Sequence, residues 1–227
     1  MKAPNAGRLL IALFTLTVAL SAAPQTDSRY ESVSLVTAGD VAYPPEARSP
    51  GMVTLDITVD SSGAVQSVEA VRDVPPLTKA AEDAVRQWKF RPAAKGDHAI
   101  SGVIRVNVVF NPFNPSDVSI PNKPLPPPEN ASAGVTGVFQ PADVKSADYA
   151  VYPPNTVASG AVILNVQLSE DGTVQDVNAL RGVGPLASAS TKAVRDWQFT
   201  PASYESKPIA SREIVAFVFV RPEIGTM

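Results

Sequence analysis

From Gly51 to Asp60 the chain alternates. Val53, Leu55, Ile57 and Val59 fall on one parity, and Thr54, Asp56, Thr58 and Asp60 on the other. That is the period of a strand with one apolar and one wet face. "DSSGAV" (60–65) supplies a turn in which Gly63 is free to take a positive φ, and "AVQSVEAV" (64–71) returns as the hairpin partner. After Pro75-Pro76 the period lengthens. Leu77, Ala80, Ala81, Ala84, Val85 and Trp88 recur at helical spacing, which predicts an amphipathic helix with Trp88 continuing its apolar stripe. Pro92 ends any helical continuation. A closing strand follows in "SGVIRVNVVF" (101–110), where Ile104, Val106, Val108 and Phe110 alternate with Arg105 and Asn107. Ahead of all this, Tyr43-Pro44-Pro45 predicts a short helical turn opened by proline.

The whole pattern is then written again. Tyr152-Pro153-Pro154 repeats Tyr43-Pro44-Pro45 at an offset of 109 residues, and the same offset relates Gly63 to Gly172, Arg72 to Arg181 and Trp88 to Trp197. Between 43–93 and 152–202, 23 of 51 positions are identical without a gap, more than shared composition produces. The second hairpin carries Asp171-Gly172, and the second helix runs through Leu186, Ala189, Ala193 and Val194 to Trp197. Two copies are too few for a solenoid. The expected fold is therefore α+β: two small domains, each a three-stranded antiparallel sheet covered by one helix. The copies are placed at 40–112 and 139–222, after an N-terminal segment at 23–39. Between them, 113–138 is rich in proline and reads as a semi-rigid spacer.

Residues 1–22 read as an export signal. Lys2 and Arg8 precede an apolar run from Leu9 to Leu20, and small residues follow at Ser21 and Ala22. The run is short for a bilayer span, which favours cleavage over a retained anchor. A formal charge of −3 gives no general attraction to nucleic acid phosphates or anionic lipid. With no cysteine there is neither a disulfide nor a thiolate ligand, and the single histidine, His98, sits in a turn-like "KGDH". Neither a metal, a cofactor nor a catalytic group is expected. Trp88, Trp197, Phe90 and Phe199 read as core residues, and Arg72, Arg86, Arg181 and Arg195 as residues of solvated faces.

These elements in this order resemble a known family. "YPPEARSPGMVTLDITVDSSGAVQSVEAVRD" followed by "PPLTKAAEDAVRQWKFRPA" and a closing strand is similar to the C-terminal domain of the TonB energy-transducer family, once over about 40–110 and again over 149–220. The resemblance implies a periplasmic domain that binds outer-membrane receptors, an extended receptor segment adding to the edge of the final strand. Carried onto this sequence, the receiving edges are Val103, Ile104, Arg105, Val106, Asn107 and Val108 in the first copy. In the second they are Ile214, Val215, Ala216, Phe217, Val218 and Phe219. The expected partner is an envelope protein or receptor peptide. The alternative is a structural envelope protein whose repeats pair through the final strand. "IVAFVFV" (214–220) is apolar on both faces, so its second face either packs against the other copy or the linker, or offers a sticky edge.

Overall fold

The computed structural model describes residues 30–47, 50–112, 138–153, 156–182 and 184–220. The expected signal segment at 1–22 and nearly all of the spacer lie outside the described residues. The first copy runs β1 (Tyr30–Glu31), β2 (Ser34–Thr37), β3 (Gly51–Val59), β4 (Val65–Arg72), α1 (Leu77–Val85), β5 (Lys89–Arg91), β6 (Ala93–Lys95), β7 (His98–Ile100) and β8 (Gly102–Pro112). The second repeats it as β9 (Phe139–Gln140), β10 (Asp143–Ser146), β11 (Gly160–Leu168), β12 (Val174–Arg181), α2 (Gly184–Arg195), β13 (Gln198–Thr200), β14 (Ala202–Tyr204), β15 (Lys207–Ile209) and β16 (Ser211–Val220).

Local chemistry explains the elements. In the first hairpin Asp60 accepts hydrogen bonds on Oδ1 from the Ser62 amide and hydroxyl and from the Ala64 amide, an Asx arrangement that closes the turn from within. Gly63 takes φ +90, and a Cβ there would lie 2.5 Å from the Phe90 carbonyl oxygen. Only glycine meets both conditions. Gly172, at φ +85, faces the Phe199 carbonyl in the same way. The α1 helix buries Leu77, Ala81, Ala84 and Val85 and stops at Val85. Trp88 reaches the core from the turn beyond it rather than from the helix. Around Tyr43-Pro44-Pro45 the chain makes a single turn, Ala47 donating to the Pro44 carbonyl, in place of the expected short helix.

The largest departure is in the sheet. Each copy does contribute three antiparallel strands, but they merge into one six-stranded sheet of order β12-β11-β16-β8-β3-β4. The join is a parallel pairing of β8 with β16. Smaller ribbons frame it. The segment before each copy folds back on that copy, with β1 on β6, β2 on β5, β9 on β14 and β10 on β13. The first copy's structure therefore begins at least ten residues before position 40.

The two cores lie on opposite faces of the shared sheet. One gathers α1 with Val53, Leu55, Ile57, Ile104, Val106 and Val108, and extends across the join to Ile214, Ala216 and Val218. The other gathers α2 with Val162, Leu164, Val166, Val215, Phe217 and Phe219, and extends back to Met52, Val103 and Val109. Strand β16 is thus covered on both faces, which accounts for "IVAFVFV". The expectation of a wet second face on β3 and β8 is overturned for the same reason. Thr54, Asp56, Arg105 and Asn107 are all buried, because the second copy's core elements share that side of the sheet.

Candidate functional site

The strands proposed from sequence as receiving edges are brought together by the fold, against each other. Val106 is the register partner of Ile214, Asn107 of Val215, Val108 of Ala216 and Val109 of Phe217. On its far side β8 pairs with β3, and β16 with β11. From Val106 and from Ile214 onward each strand therefore has two hydrogen-bonded neighbours and presents no edge, whereas Val103, Ile104 and Arg105 precede the paired stretch. Register follows from geometry. A half-turn about the strand direction relates the copies and puts α1 and α2 on opposite faces, so residues equivalent at the offset of 109 point to opposite faces. Register partners must share a face. The join is accordingly slipped by one residue, Val106 meeting Ile214 and not its equivalent Val215.

At the start of the join sits a buried polar cluster drawn from both copies. Arg105 on β8 donates through Nε and Nη2 to the two carboxylate oxygens of Asp56 on β3, both at 2.7 Å. Its Nη1 lies 3.3 Å from Asp143 Oδ1 on β10 of the other copy. Glu213, one residue before the first partner on β16, is 1% exposed, and its Oε2 finds no hydrogen-bond partner among the described residues. Burial drives the Glu213 carboxyl well above the usual carboxylate range, against the opposing pull of Arg105. Burial also raises Asp143, with Arg105 and Arg72 opposing. Next in the row, Thr54 Oγ1 donates to Asn107 Oδ1 at 2.9 Å, and Asn111 Nδ2 donates to the Ala150 carbonyl at 2.6 Å. Arg72 is buried as well, which corrects its placement on a solvated face. Arg86 and Arg195 are exposed as expected.

Two further contacts tie the copies outside the sheet. Arg181 of β12 pairs with Asp40 at 2.5 Å and donates to the Ala38 carbonyl, both ahead of the first copy's sheet. Tyr30 of β1 stacks on Tyr204 of β14 at 4.6 Å and lies 5.1 Å from Phe139. Burial, with Tyr204 beside it, pushes the Tyr30 hydroxyl up to about 12. With the join closed, the outer strands of the sheet among the described residues are β4 and β12. Each is interrupted by register shifts near both ends, leaving a regular stretch of Ser67–Ala70 and of Asp176–Ala179.

Alternation alone predicts Asp56, Arg105 and Asn107 on a solvent face and gives no sign of Asp143 or Glu213. The available signal was the doubly apolar strand at 214–220, which needs a second surface to cover it. Trp88, Trp197, Phe90 and Phe199 are all core residues. His98 is exposed at the start of β7, next to the Gly96-Asp97 turn. Among the described residues no group of three or more His, Asp or Glu side chains is arranged to hold a metal, and no helix is long and apolar enough to cross a membrane.

Comparison with known families gives one match, made twice. The family described as the Gram-negative bacterial TonB protein C-terminal matches residues 40–112 and 149–220. Searches of curated proteins and of solved structures return no match.

Proposed function

Because the chain belongs to the TonB C-terminal family and carries two of its domains, we propose that it is an exported periplasmic protein-binding module. Its partner is an extended segment of an outer-membrane receptor or another envelope protein, taken up by strand addition. The observation that carries this reading is the closed join. Each final strand already receives an extended strand, and the strand it receives is the other copy's. An incoming segment reaches Val106–Val108 or Ile214–Phe219 only by parting the join, which exposes side chains buried on both faces of β16. Among the described residues the outer strands β4 and β12 have a strand neighbour on one side alone and need no such opening. They are the receiving edges this geometry favours. The role is binding, not catalysis.

Titration of the mature protein with N-terminal peptides of outer-membrane receptors tests this, read by backbone amide NMR. The expected shifts fall in 65–72 or 174–181. Shifts confined to 103–108 and 214–219 instead place the site at the join and make opening part of binding. Saturating peptide with no shift anywhere removes the receptor reading. A second reading is favoured by the same join: an envelope structural protein whose repeats serve chiefly to pair with each other. Pull-down from envelope extract separates the two, since that reading predicts recovery of this chain alone.

A further inference from the structure

The ionisable groups gathered at the join are unequally shared. The arginine, Arg105, and its bidentate partner Asp56 belong to the first copy, whereas Asp143 and Glu213 belong to the second. At the offset of 109 the second copy has Ile214 where the first has Arg105, Asn165 where it has Asp56, and Ala216 where it has Asn107. Conversely, the first copy has Ser34 where the second has Asp143, and Ile104 where it has Glu213. The copies therefore resemble each other in fold and differ in the residues that meet across the join.

We infer that Asp56, Arg105, Asp143 and Glu213 form a pairing code in which the join of a second copy accepts a first copy, from the same chain or another, and rejects a second. A second copy joined to a second copy places Ile214 where Arg105 stands, so Asp143 loses its ion pair and Glu213 the pull of that guanidinium, Arg181 standing only where Arg72 does. Taking the cation from beside a partly buried aspartate is costly, because the partner is lost while the desolvation remains. A first copy joined to a first copy keeps the Asp56–Arg105 pair but loses the contact with Asp143, a milder penalty. Apolar character is common to both copies, Val106, Val108 and Phe110 holding the positions equivalent to Val215, Phe217 and Phe219. Selectivity rests on the charged row, through the wrong pair's cost more than the right pair's gain. This goes beyond the partner-binding reading and does not depend on it.

The test removes the tether, because a linker forces the intrachain pairing whatever the code says. A protease site is inserted within 113–137, the folded chain is cut, and both pieces are unfolded and refolded together. Native mass spectrometry then counts first–second, first–first and second–second complexes. The expected result is first–second in excess of second–second by about tenfold or more. In the cut Asp143→Ser, Glu213→Ile chain, which puts the first copy's residues at those two places, second–second complexes are expected to rise to comparable abundance. A statistical mixture from the parent overturns the inference. So does an unchanged distribution in the double variant. Loss of all pairing in that variant also overturns it, because the acids are then binding groups and not selective ones.

Discussion

At the scale of single residues, environment decides what polarity in the sequence cannot. Asp56 lies in β3 and Asp60 directly follows it on the same parity; Asp56 is sealed against Arg105, while Asp60 caps an open turn. Glu213 gives the clearest consequence. Its carboxyl is raised by burial, so the folded state holds a proton that the unfolded chain releases near pH 4.3. The sign follows: stability is greatest below that pH and falls as pH rises through the window up to the raised value. Urea midpoints measured from pH 4 to 8 are expected to decline for the parent and to flatten in Glu213→Gln; a parallel decline in both refutes the assignment. Asp171 runs the opposite way. Hydrogen bonds from Ser169 and Thr173 hold its carboxyl down at about 2, so its contribution is present above the ordinary Asp value and lost as pH falls through about 2. Asp171→Asn is expected to reduce the acid sensitivity of the folded state. Gly63→Ala meets a φ of +90 and the Phe90 carbonyl together and is expected to cost more than about 1 kcal/mol, the usual glycine-to-alanine scale, by chemical denaturation.

At the scale of elements, legibility tracks length. The long strands β3 and β4, the closing strands and both helices carry enough periodic positions to announce themselves, and the Asp-Gly and Ser-Gly hairpins were plain. The ribbons at 30–37, 89–100, 139–146 and 198–209 were not, because strands of two to four residues repeat no pattern long enough to read. The final strand was half legible. "IVAFVFV" showed that two surfaces cover it without showing which. Its packing predicts that Phe217→Ala and Phe219→Ala each destabilise the chain by about 3–5 kcal/mol, both rings being fully buried. A loss below about 1 kcal/mol at both contradicts the packing of β16.

At the scale of the whole molecule, duplication was readable and fusion was not. Alternation in "GVIRVNVVF" predicts one wet face, and Arg105 and Asn107 obey it in polarity while contradicting it in place. Nothing local to β8 says that a second copy brings Asp143 to Arg105 and covers the row. The consequence is mechanical as well as functional: two family domains sharing one sheet are expected to unfold in a single transition. Coincident fluorescence and circular dichroism curves check this, and two separated steps count against it. Fusion of the two domains depends on the parallel join of β8 to β16. Cross-strand proton NOEs in the isotope-labelled full chain test it most directly. Contacts linking Val106, Val108 and Phe110 to Ile214, Ala216 and Val218, with slowly exchanging amides along both strands, are the predicted result. Absence of those contacts, with fast exchange of every second amide along β16, is the result that contradicts it.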